Sequence, residues 1–179
     1  MKEVIIIVGI APCLKEDMDN LSKYFDVDEA DYMIIGIDAI GIIDKPISYL
    51  ATYHPEEIPA IREKSKDMPP YKLISHEFGR DAQGQPDTTV YPIDIVVPFE
   101  QPSGSSAMLG AFAAIQIGYK KIILVGCPLT GKNSAEHPYE EFRRGWECYK
   151  DRVLGVVKSC SGWTASFLGN PTKEWIELK

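Results

Sequence analysis

The sequence has 179 residues and a formal net charge of −7, and its residues are 45% hydrophobic and 25% charged. This length predicts one domain with one substantial core, and the composition is that of an ordinary soluble globular protein. The acidic balance argues against nucleic acid and anionic membrane surfaces as partners, because both attract basic protein surfaces.

Two further features bear on where the protein resides. The apolar run 4–10 is too short to span a bilayer and follows Glu3 without a basic segment, so we expect neither a membrane helix nor a secretory signal. The cysteines lack Cys-x-x-Cys spacing and predict neither a zinc nor a redox motif; they are Cys13, Cys127, Cys148 and Cys160. Reduced cysteines are typical of the cytoplasm, where we expect this protein.

In the first half of the chain, short β-branched runs alternate with helical stretches. Val4–Val8 is a continuous apolar run, typical of a strand buried on both faces of a parallel sheet. A turn follows, and then an amphipathic helix is predicted over 14–25. Further strands are predicted at 32–37, 48–53 and 71–76, with a short helix over 55–66 that begins at a proline.

The second half continues the alternation after an irregular stretch. Residues 79–89 show no periodicity and predict a loop, which at that length is either functional or disordered. Later elements are a short strand within 91–99, a helix over 105–117 ended by Gly118, a strand at 121–126, a helix over 138–152, a strand at 153–159 and a small terminal helix within 163–179. The pattern predicts a single α/β domain over 1–179, with a doubly wound, mostly parallel sheet flanked by helices.

In such a sheet, ligands bind beyond the carboxyl ends of the strands, near the point where the strand order reverses. Residues Ser103 to Ser106 read Ser-Gly-Ser-Ser and precede a helix, where backbone N–H groups and the helix dipole favour an anion. Serine is also a common helix cap, so a purely structural role stays open. The turn Gly9–Cys13 contains a glycine but matches no phosphate-binding motif.

His137 stands before Pro138 at the start of a predicted helix. The positive end of the helix dipole favours a neutral imidazole, which can act as a general base; a plain surface histidine fits the position equally well. We find no Gly-x-Ser-x-Gly elbow, and Asp38, Asp44 and His54 match no zinc spacing. We therefore expect no metal site and no cofactor.

Three segments resemble a known group of proteins in matching order. They are VIIIVGIAPCLKEDMDNL at 4–21, DYMIIGIDAI with PISYLATYHPE between 31 and 56, and SGSSAMLGAFAAIQIGYKKIILVGCPL at 103–129. They are similar to the Rossmann-like group that contains the family 42 sialyltransferases and the MptE-like proteins, whose archaeal members are 6-hydroxymethylpterin diphosphokinases. The resemblance implies a nucleotide or nucleotide-sugar held by its phosphates and base across the strand-end loops.

The resemblance also implies roles for individual residues. Gly9 and Pro12 match the group's first loop, Ser103 and Gly104 match its serine loop, and His137 lies where the sialyltransferases place the base that deprotonates the acceptor. With the neighbouring loop positions, the candidate nucleotide-binding residues are Gly9, Ala11, Pro12, Cys13, Asp38, Ser103, Gly104, Ser105 and Thr130.

The chain also departs from the group's pattern. Ile10 and Ile37 stand where the group has asparagines, and Pro128 stands where it has an aspartate, so polar atoms able to bond ribose or phosphate are replaced. The leading expectation is a metal-independent glycosyltransferase-like protein. Ile10 and Ile37 favour an alternative, a non-catalytic nucleotide-binding or interaction module. A third is a Mg²⁺-dependent pterin-type diphosphokinase, for which Asp38 is the one suitable carboxylate.

The last expectation concerns self-association. The chain has three tryptophans and a tail bounded by prolines, which leave room for an interface with a second copy of the same chain.

Overall fold

The computed structural model of the protein describes residues 2–77, 79–80, 85–87, 89–98, 105–130 and 139–178. Within these ranges the strands are β1 (Val4–Val8), β2 (Asp31–Ile35), β3 (Tyr49–Ala51), β4 (Lys72–Ser75), β5 (Gly79–Arg80), β6 (Pro86–Asp87), β7 (Ile95–Val96), β8 (Lys121–Val125) and β9 (Val157–Ser159). The helices are α1 (Leu14–Leu21), α2 (Ile58–Lys64), α3 (Ser106–Ile117), α4 (Tyr139–Cys148), α5 (Lys150–Val153), α6 (Gly162–Leu168) and α7 (Lys173–Glu177).

Seven of the described strands form one sheet in the order β7-β4-β3-β2-β1-β8-β9, and every pairing in it is parallel. The two-residue strands β5 and β6 pair with each other in antiparallel fashion. The prediction of a doubly wound parallel α/β sheet is confirmed.

The interior strand β1 shows why the apolar run at its position is continuous. Ile5 and Ile7 face the cluster packed by α3, whereas Val4, Ile6 and Val8 face the cluster packed by α1 and α2. Both faces of β1 are buried, so every position needs an apolar side chain.

The helices form two layers on opposite faces of the sheet. Leu21 of α1 and Ile61 of α2 are buried on one face, with Trp175 of α7 packed against the same cluster. Met108 of α3 and Trp146 of α4 are buried on the other face. The sheet therefore lies between two helical layers, as a doubly wound fold requires.

The strand order reverses beside β1. The chain runs outward from β1 through β2, β3, β4 and β7, and then returns through α3 to β8, which pairs with the free side of β1. Val8 and Val125 are partners at the ends of these two strands, so both chains leave the sheet at the same edge. A crevice at this point is the usual ligand site of such a sheet.

Several element boundaries differ from the sequence prediction. The helix predicted over 14–25 ends at Leu21, although the Phe25 N–H still donates to the Leu21 carbonyl oxygen through a looser turn. The strand predicted at 153–159 is confined to Val157–Ser159, because Gly155 turns the chain with a φ of +85° after α5.

Further differences lie in other segments, and the helix predicted over 138–152 is divided into α4 and α5. The predicted helix over 55–66 begins as a 3₁₀ turn, Pro55–Glu57, and continues as α2. The tail after residue 160 holds two helices, α6 and α7, rather than one. The stretch 79–89, predicted as a loop, contains β5 and β6.

Candidate functional site

A cavity of about 840 Å³ opens at the carboxyl edge of the sheet, between the ends of β1 and β8. Four segments distant in sequence form most of its wall, namely 9–13, 105–107, 126–130 and 161–162. Ile35 at the end of β2, together with Tyr139 and Phe142 of α4, completes the lining. The cavity thus occupies the crevice where the strand order reverses.

The floor of the cavity is formed by two backbones in direct contact. The Gly9 N–H donates to the Val125 carbonyl oxygen at 2.9 Å, and the Ala11 N–H donates to the Gly126 carbonyl oxygen at 3.2 Å. A Cβ atom on Gly9 would lie 2.4 Å from the Gly126 oxygen, and Gly126 itself has a φ of +64°. Side chains are excluded here, so the loops after β1 and β8 can approach closely.

Asp17 lies behind the cavity wall and connects the segments 9–13, 126–130 and 161–162 through hydrogen bonds. The residue is only 3% exposed. The oxygen Oδ2 accepts hydrogen bonds from the Gly126 N–H at 2.8 Å and from the Ser161 hydroxyl at 2.9 Å. The same hydroxyl lies 3.3 Å from the Cys13 sulfur. Asp17 of α1 therefore positions both the turn after β8 and the residue that precedes α6.

The thiols around this network are protonated at neutral pH. Burial raises the pKa of Cys160 to about 12, and the nearby Asp17 carboxylate contributes to the rise. Burial also raises the pKa of Cys13 and that of Cys127. Since the thiolate is the reactive form of cysteine, none of these three side chains is an activated nucleophile.

The start of α3 supplies two serines to the wall. Ser105 caps the helix, because its Oγ accepts a hydrogen bond from the Met108 N–H at 3.4 Å. The Ser106 Oγ accepts from the Tyr53 N–H at 3.1 Å and so ties α3 to the loop after β3. Both serines line the cavity while they hold the helix in place.

The wall on the α4 side depends on one arginine. Leu129 has a φ of +44°, a left-handed conformation that non-glycine residues seldom adopt. The Arg143 guanidinium donates two hydrogen bonds to the Leu129 carbonyl oxygen and lies 5.7 Å from the centre of the Trp163 ring. Backbone strain of this kind is often found at functional sites and persists where neighbours enforce it.

The structure brings together six of the residues predicted from the sequence. Gly9, Ala11, Pro12, Cys13, Ser105 and Thr130 all line the cavity. Asp38 is the exposed residue of the 3₁₀ turn Ile37–Ala39 and does not line the cavity. The other three predicted residues, Ser103, Gly104 and His137, lie outside the described residues.

Sequence reasoning missed Asp17 and Ser161. Asp17 reads as an ordinary acidic residue in the first turn of an amphipathic helix, and only the tertiary structure buries it. Ser161 could have been predicted as a site residue, because it lies two positions after β9, at the carboxyl end of a strand in a parallel sheet.

Uncharged groups make up the described lining of the cavity, with Ile10, Leu129 and Phe142 among its apolar members. Within the described ranges, no three His, Cys, Asp or Glu side chains lie together in an arrangement that could hold a metal ion. The same part of the chain contains no helix that is both long enough and apolar enough to cross a membrane.

Comparison with solved structures identifies glycosyltransferases as structural neighbours. A CstII variant described as an alpha-2,3/8-sialyltransferase superposes with a TM-score of 0.63 and 15% identity over 95% of this chain and 87% of its own. CstII from Campylobacter jejuni in complex with the substrate analogue CMP-3FNeuAc gives a TM-score of 0.61 and 14% identity over 97% of this chain and 87% of its own. The chain shares its fold with CstII-type sialyltransferases.

A second neighbour is larger. The MAf glycosyltransferase from Magnetospirillum magneticum AMB-1 gives a TM-score of 0.60 and 13% identity over 90% of this chain. The chain spans about a third of that protein's length, since the superposition covers 32% of it. No model of a known protein family and no curated protein sequence matches the chain. At these identities the likeness establishes the fold, and the resemblance to MptE-like proteins stays a prediction.

Proposed function

We propose that the protein binds a nucleotide or nucleotide-sugar in the cavity between β1 and β8 and acts as a glycosyltransferase-like enzyme. The observation that supports this most directly is the position of the cavity. It lies where the strand order of a parallel sheet reverses, and its wall comes from the loops after β1 and β8 and the start of α3. Doubly wound sheets bind nucleotides in this crevice.

The lining offers two kinds of surface to such a ligand. Ile10, Leu129 and Phe142 provide an apolar side that suits the face of a base or of a sugar ring. The hydroxyls of Ser106 and Thr130 provide polar contacts. The proposed phosphate contacts are the turn Gly9–Cys13 and the segment that leads into α3, which includes Ser103 and Gly104.

In the proposed reaction, the acceptor hydroxyl attacks the anomeric carbon of the bound sugar. A bond forms between the acceptor oxygen and that carbon, the bond from the carbon to the phosphate oxygen breaks, and the nucleotide leaves with the bonding electrons. His137, proposed from the sequence as the base, would take the acceptor proton. Backbone N–H groups and hydroxyls near the phosphate would stabilise its developing charge without a metal.

A second candidate is a non-catalytic nucleotide-binding module of the same fold. The observation that favours it is the apolar side chain of Ile10, which lines the cavity and offers no polar atom to a ribose or a phosphate. Ile37, the other predicted departure, lies outside the lining. Binding with no release of nucleotide from a nucleotide-sugar would distinguish this candidate from the enzyme.

The binding test is a thermal-shift panel of cytidine and uridine nucleotides and their sugar conjugates, with and without Mg²⁺. Cytidine compounds come first because CstII structures hold CMP and CMP-3FNeuAc. A ligand at 100 times its dissociation constant should stabilise the fold by about 2.7 kcal/mol. A rise that requires Mg²⁺ would instead favour the pterin-type diphosphokinase, and no rise with any compound would contradict nucleotide binding.

Two exposed isoleucines give a matched pair of variants for the panel. Ile10 is 52% exposed and lines the cavity, whereas Ile42 is 38% exposed and lies outside the lining. Ile10→Glu should abolish binding of a phosphate-bearing ligand by charge repulsion, and Ile42→Glu should leave it unchanged. Loss of binding in both variants, or in neither, would argue against this cavity.

The catalytic test measures release of CMP from CMP-N-acetylneuraminic acid in the presence and absence of sugar acceptors. The enzyme should release CMP, and His137→Gln should lower the rate by at least about 100-fold without weakening nucleotide binding. Equal rates in wild type and His137→Gln would remove the proposed base.

A further inference from the structure

Ser161 occupies a chemically unusual position in the cavity wall. Its hydroxyl lies 2.9 Å from the buried Asp17 Oδ2 atom and 3.3 Å from the Cys13 sulfur, and the residue lines the cavity. A buried carboxylate thus lies directly behind one of the few hydroxyls that a ligand in this cavity can reach.

The proton of the Ser161 hydroxyl has two neighbours to which it can be donated. A hydroxyl carries one proton, and a carboxylate oxygen at 2.9 Å is a far better acceptor than a thiol sulfur at 3.3 Å. The proton is therefore donated to Asp17. The Cys13 thiol keeps its own proton, which it can donate to the Asp17 carboxylate or, more weakly, to the Ser161 oxygen.

This assignment leaves the Ser161 oxygen with no proton for a ligand. It retains acceptor capacity, because a hydroxyl oxygen has two lone pairs and the thiol uses at most one of them. A ligand group at this position must then be an O–H or N–H donor. An oxygen that can only accept, such as that of a phosphate dianion, would face the lone pairs of Ser161.

The negative charge of Asp17 also disfavours a phosphate near Ser161. The residue is 3% exposed, and the contacts to its Oδ2 atom come from two neutral donors, the Gly126 N–H and the Ser161 hydroxyl. In the described part of the chain, no cationic side chain forms an ion pair with it. A negative charge with low exposure to water repels an anionic group nearby.

We infer that Ser161, oriented by Asp17, is a specificity-determining residue that accepts a hydrogen bond from a ribose hydroxyl or a base amine of the ligand and excludes its phosphate from this end of the cavity. The inference rests on the proposed nucleotide-binding function. We assign the donor to the nucleoside because it is common to every ligand of the proposed class. The phosphate then lies away from Ser161 and from the Cys13 end of the turn Gly9–Cys13, toward the start of α3.

The test compares CMP with analogues that each lack one of its donor groups. CMP, 2′-deoxy-CMP, 3′-deoxy-CMP and UMP are titrated calorimetrically into wild type, Ser161→Ala and Ser166→Ala. The two deoxy analogues each lack one ribose hydroxyl of CMP, and UMP carries a carbonyl oxygen in place of the 4-amino group and an N–H at N3. One of them should bind wild type about five- to tenfold more weakly than CMP does, the loss expected for one hydrogen bond.

That difference should disappear in Ser161→Ala, which should bind CMP and the affected analogue equally well. Ser166→Ala is the matched control, because Ser166 is an exposed serine of α6, the helix that Ser161 precedes. Its hydroxyl donates to the Gly162 carbonyl oxygen, and it lies outside the lining. Ser166→Ala should show the same relative affinities for the four nucleotides as wild type. Circular dichroism and the melting temperature establish that each variant is folded.

The two ways of failing are distinct. If CMP binds wild type but every analogue shows the same relative affinity in Ser161→Ala as in wild type, this inference is overturned and the proposed function stands. If none of the four nucleotides binds wild type, the proposed function fails and this inference fails with it.

Discussion

The Arg143 guanidinium holds the carbonyl oxygen of Leu129 with two hydrogen bonds, at 3.0 Å from Nε and 2.5 Å from Nη2. This contact joins α4 to the loop after β8 at the residue whose φ is +44°. The arginine thereby supports a backbone conformation that leucine would seldom adopt alone.

Arg143→Ala should therefore lower the free energy of unfolding by about 2 kcal/mol, because it removes both charge-assisted bonds and the contact with Trp163. Urea denaturation followed by tryptophan fluorescence measures the change. Arg144→Ala is the control, since Arg144 is an exposed neighbour on the same helix, and it should stay within about 0.5 kcal/mol of wild type. Equal effects would mean that the Leu129 contact contributes nothing to stability.

Gly9→Ala should be among the most damaging single substitutions in the chain. The added Cβ would lie 2.4 Å from the Gly126 oxygen and 2.7 Å from the Cys127 sulfur, in a region where both backbones are fixed by the sheet. We expect a loss of about 3 kcal/mol. Gly155→Ala separates this steric effect from backbone strain, because Gly155 has a φ of +85° with nothing within 4 Å of its added Cβ.

Gly155→Ala should then cost only about 1 kcal/mol, the strain of a left-handed alanine. Chemical denaturation of the two variants under identical conditions provides the comparison. A loss in Gly9→Ala no larger than that in Gly155→Ala would contradict the close approach of the two loops.

Asp17→Ala should lower the free energy of unfolding much more than Asp17→Asn does. Asp17→Ala leaves the Gly126 N–H and the Ser161 hydroxyl without their acceptor, which should cost about 3 kcal/mol. Asp17→Asn should cost about 1 kcal/mol, because a single oxygen accepts both bonds and the amide oxygen can replace it. Thermal and urea unfolding of both variants test this order, and a reversed order would contradict the hydrogen-bond assignment.

The buried thiols predict how stability depends on pH. Burial raises the pKa of Cys160 to about 12 in the folded protein, whereas a thiol in an unfolded chain ionises near about 8.5. The contribution of the protonated Cys160 thiol to the free energy of unfolding is fully present below about pH 8.5. Above that pH the unfolded chain loses the proton first, so the free energy of unfolding falls by about 1.4 kcal/mol per pH unit for each such thiol until the folded pKa is reached.

Urea midpoints at pH 8, 9 and 10 measure this slope. Cys160→Ala should reduce it by the contribution of one thiol. Cys148→Ala is the control, since the Cys148 side chain is exposed, and it should leave the slope as in wild type. An unchanged slope in Cys160→Ala would contradict the burial of that thiol.

The sequence predicted those parts of the fold that depend on local pattern. The continuous apolar run of β1 and the left-handed cap at Gly118, whose φ is +110°, follow from residue type and spacing alone, and both are confirmed. The order of the strands, and with it the pairing of β1 with β8, depends on contacts between residues more than 100 positions apart. No local pattern encodes such contacts.

The candidate site was predictable to a similar degree. The general rule for strand ends led to the loops around Gly9 and Thr130, which line one cavity. The same rule led to Asp38, but the chain turns after β2 so that Ile35, and not Asp38, reaches the cavity. Asp17 was not predictable as part of the site, because its role depends on the approach of α1 to the Gly126 backbone and the Ser161 hydroxyl.

The position of β1 has a consequence for the protein as it is made on the ribosome. β1 is synthesised more than 100 residues before its partner β8, which begins at Lys121, and ribosomes add roughly 5–20 residues per second. One edge of an entirely apolar strand therefore waits on the order of ten seconds for its partner. Until β8 is synthesised, the floor of the cavity cannot form and Asp17 has no Gly126 N–H to accept from. The nascent chain therefore exposes an unpaired, apolar strand edge, which is a surface that chaperones bind.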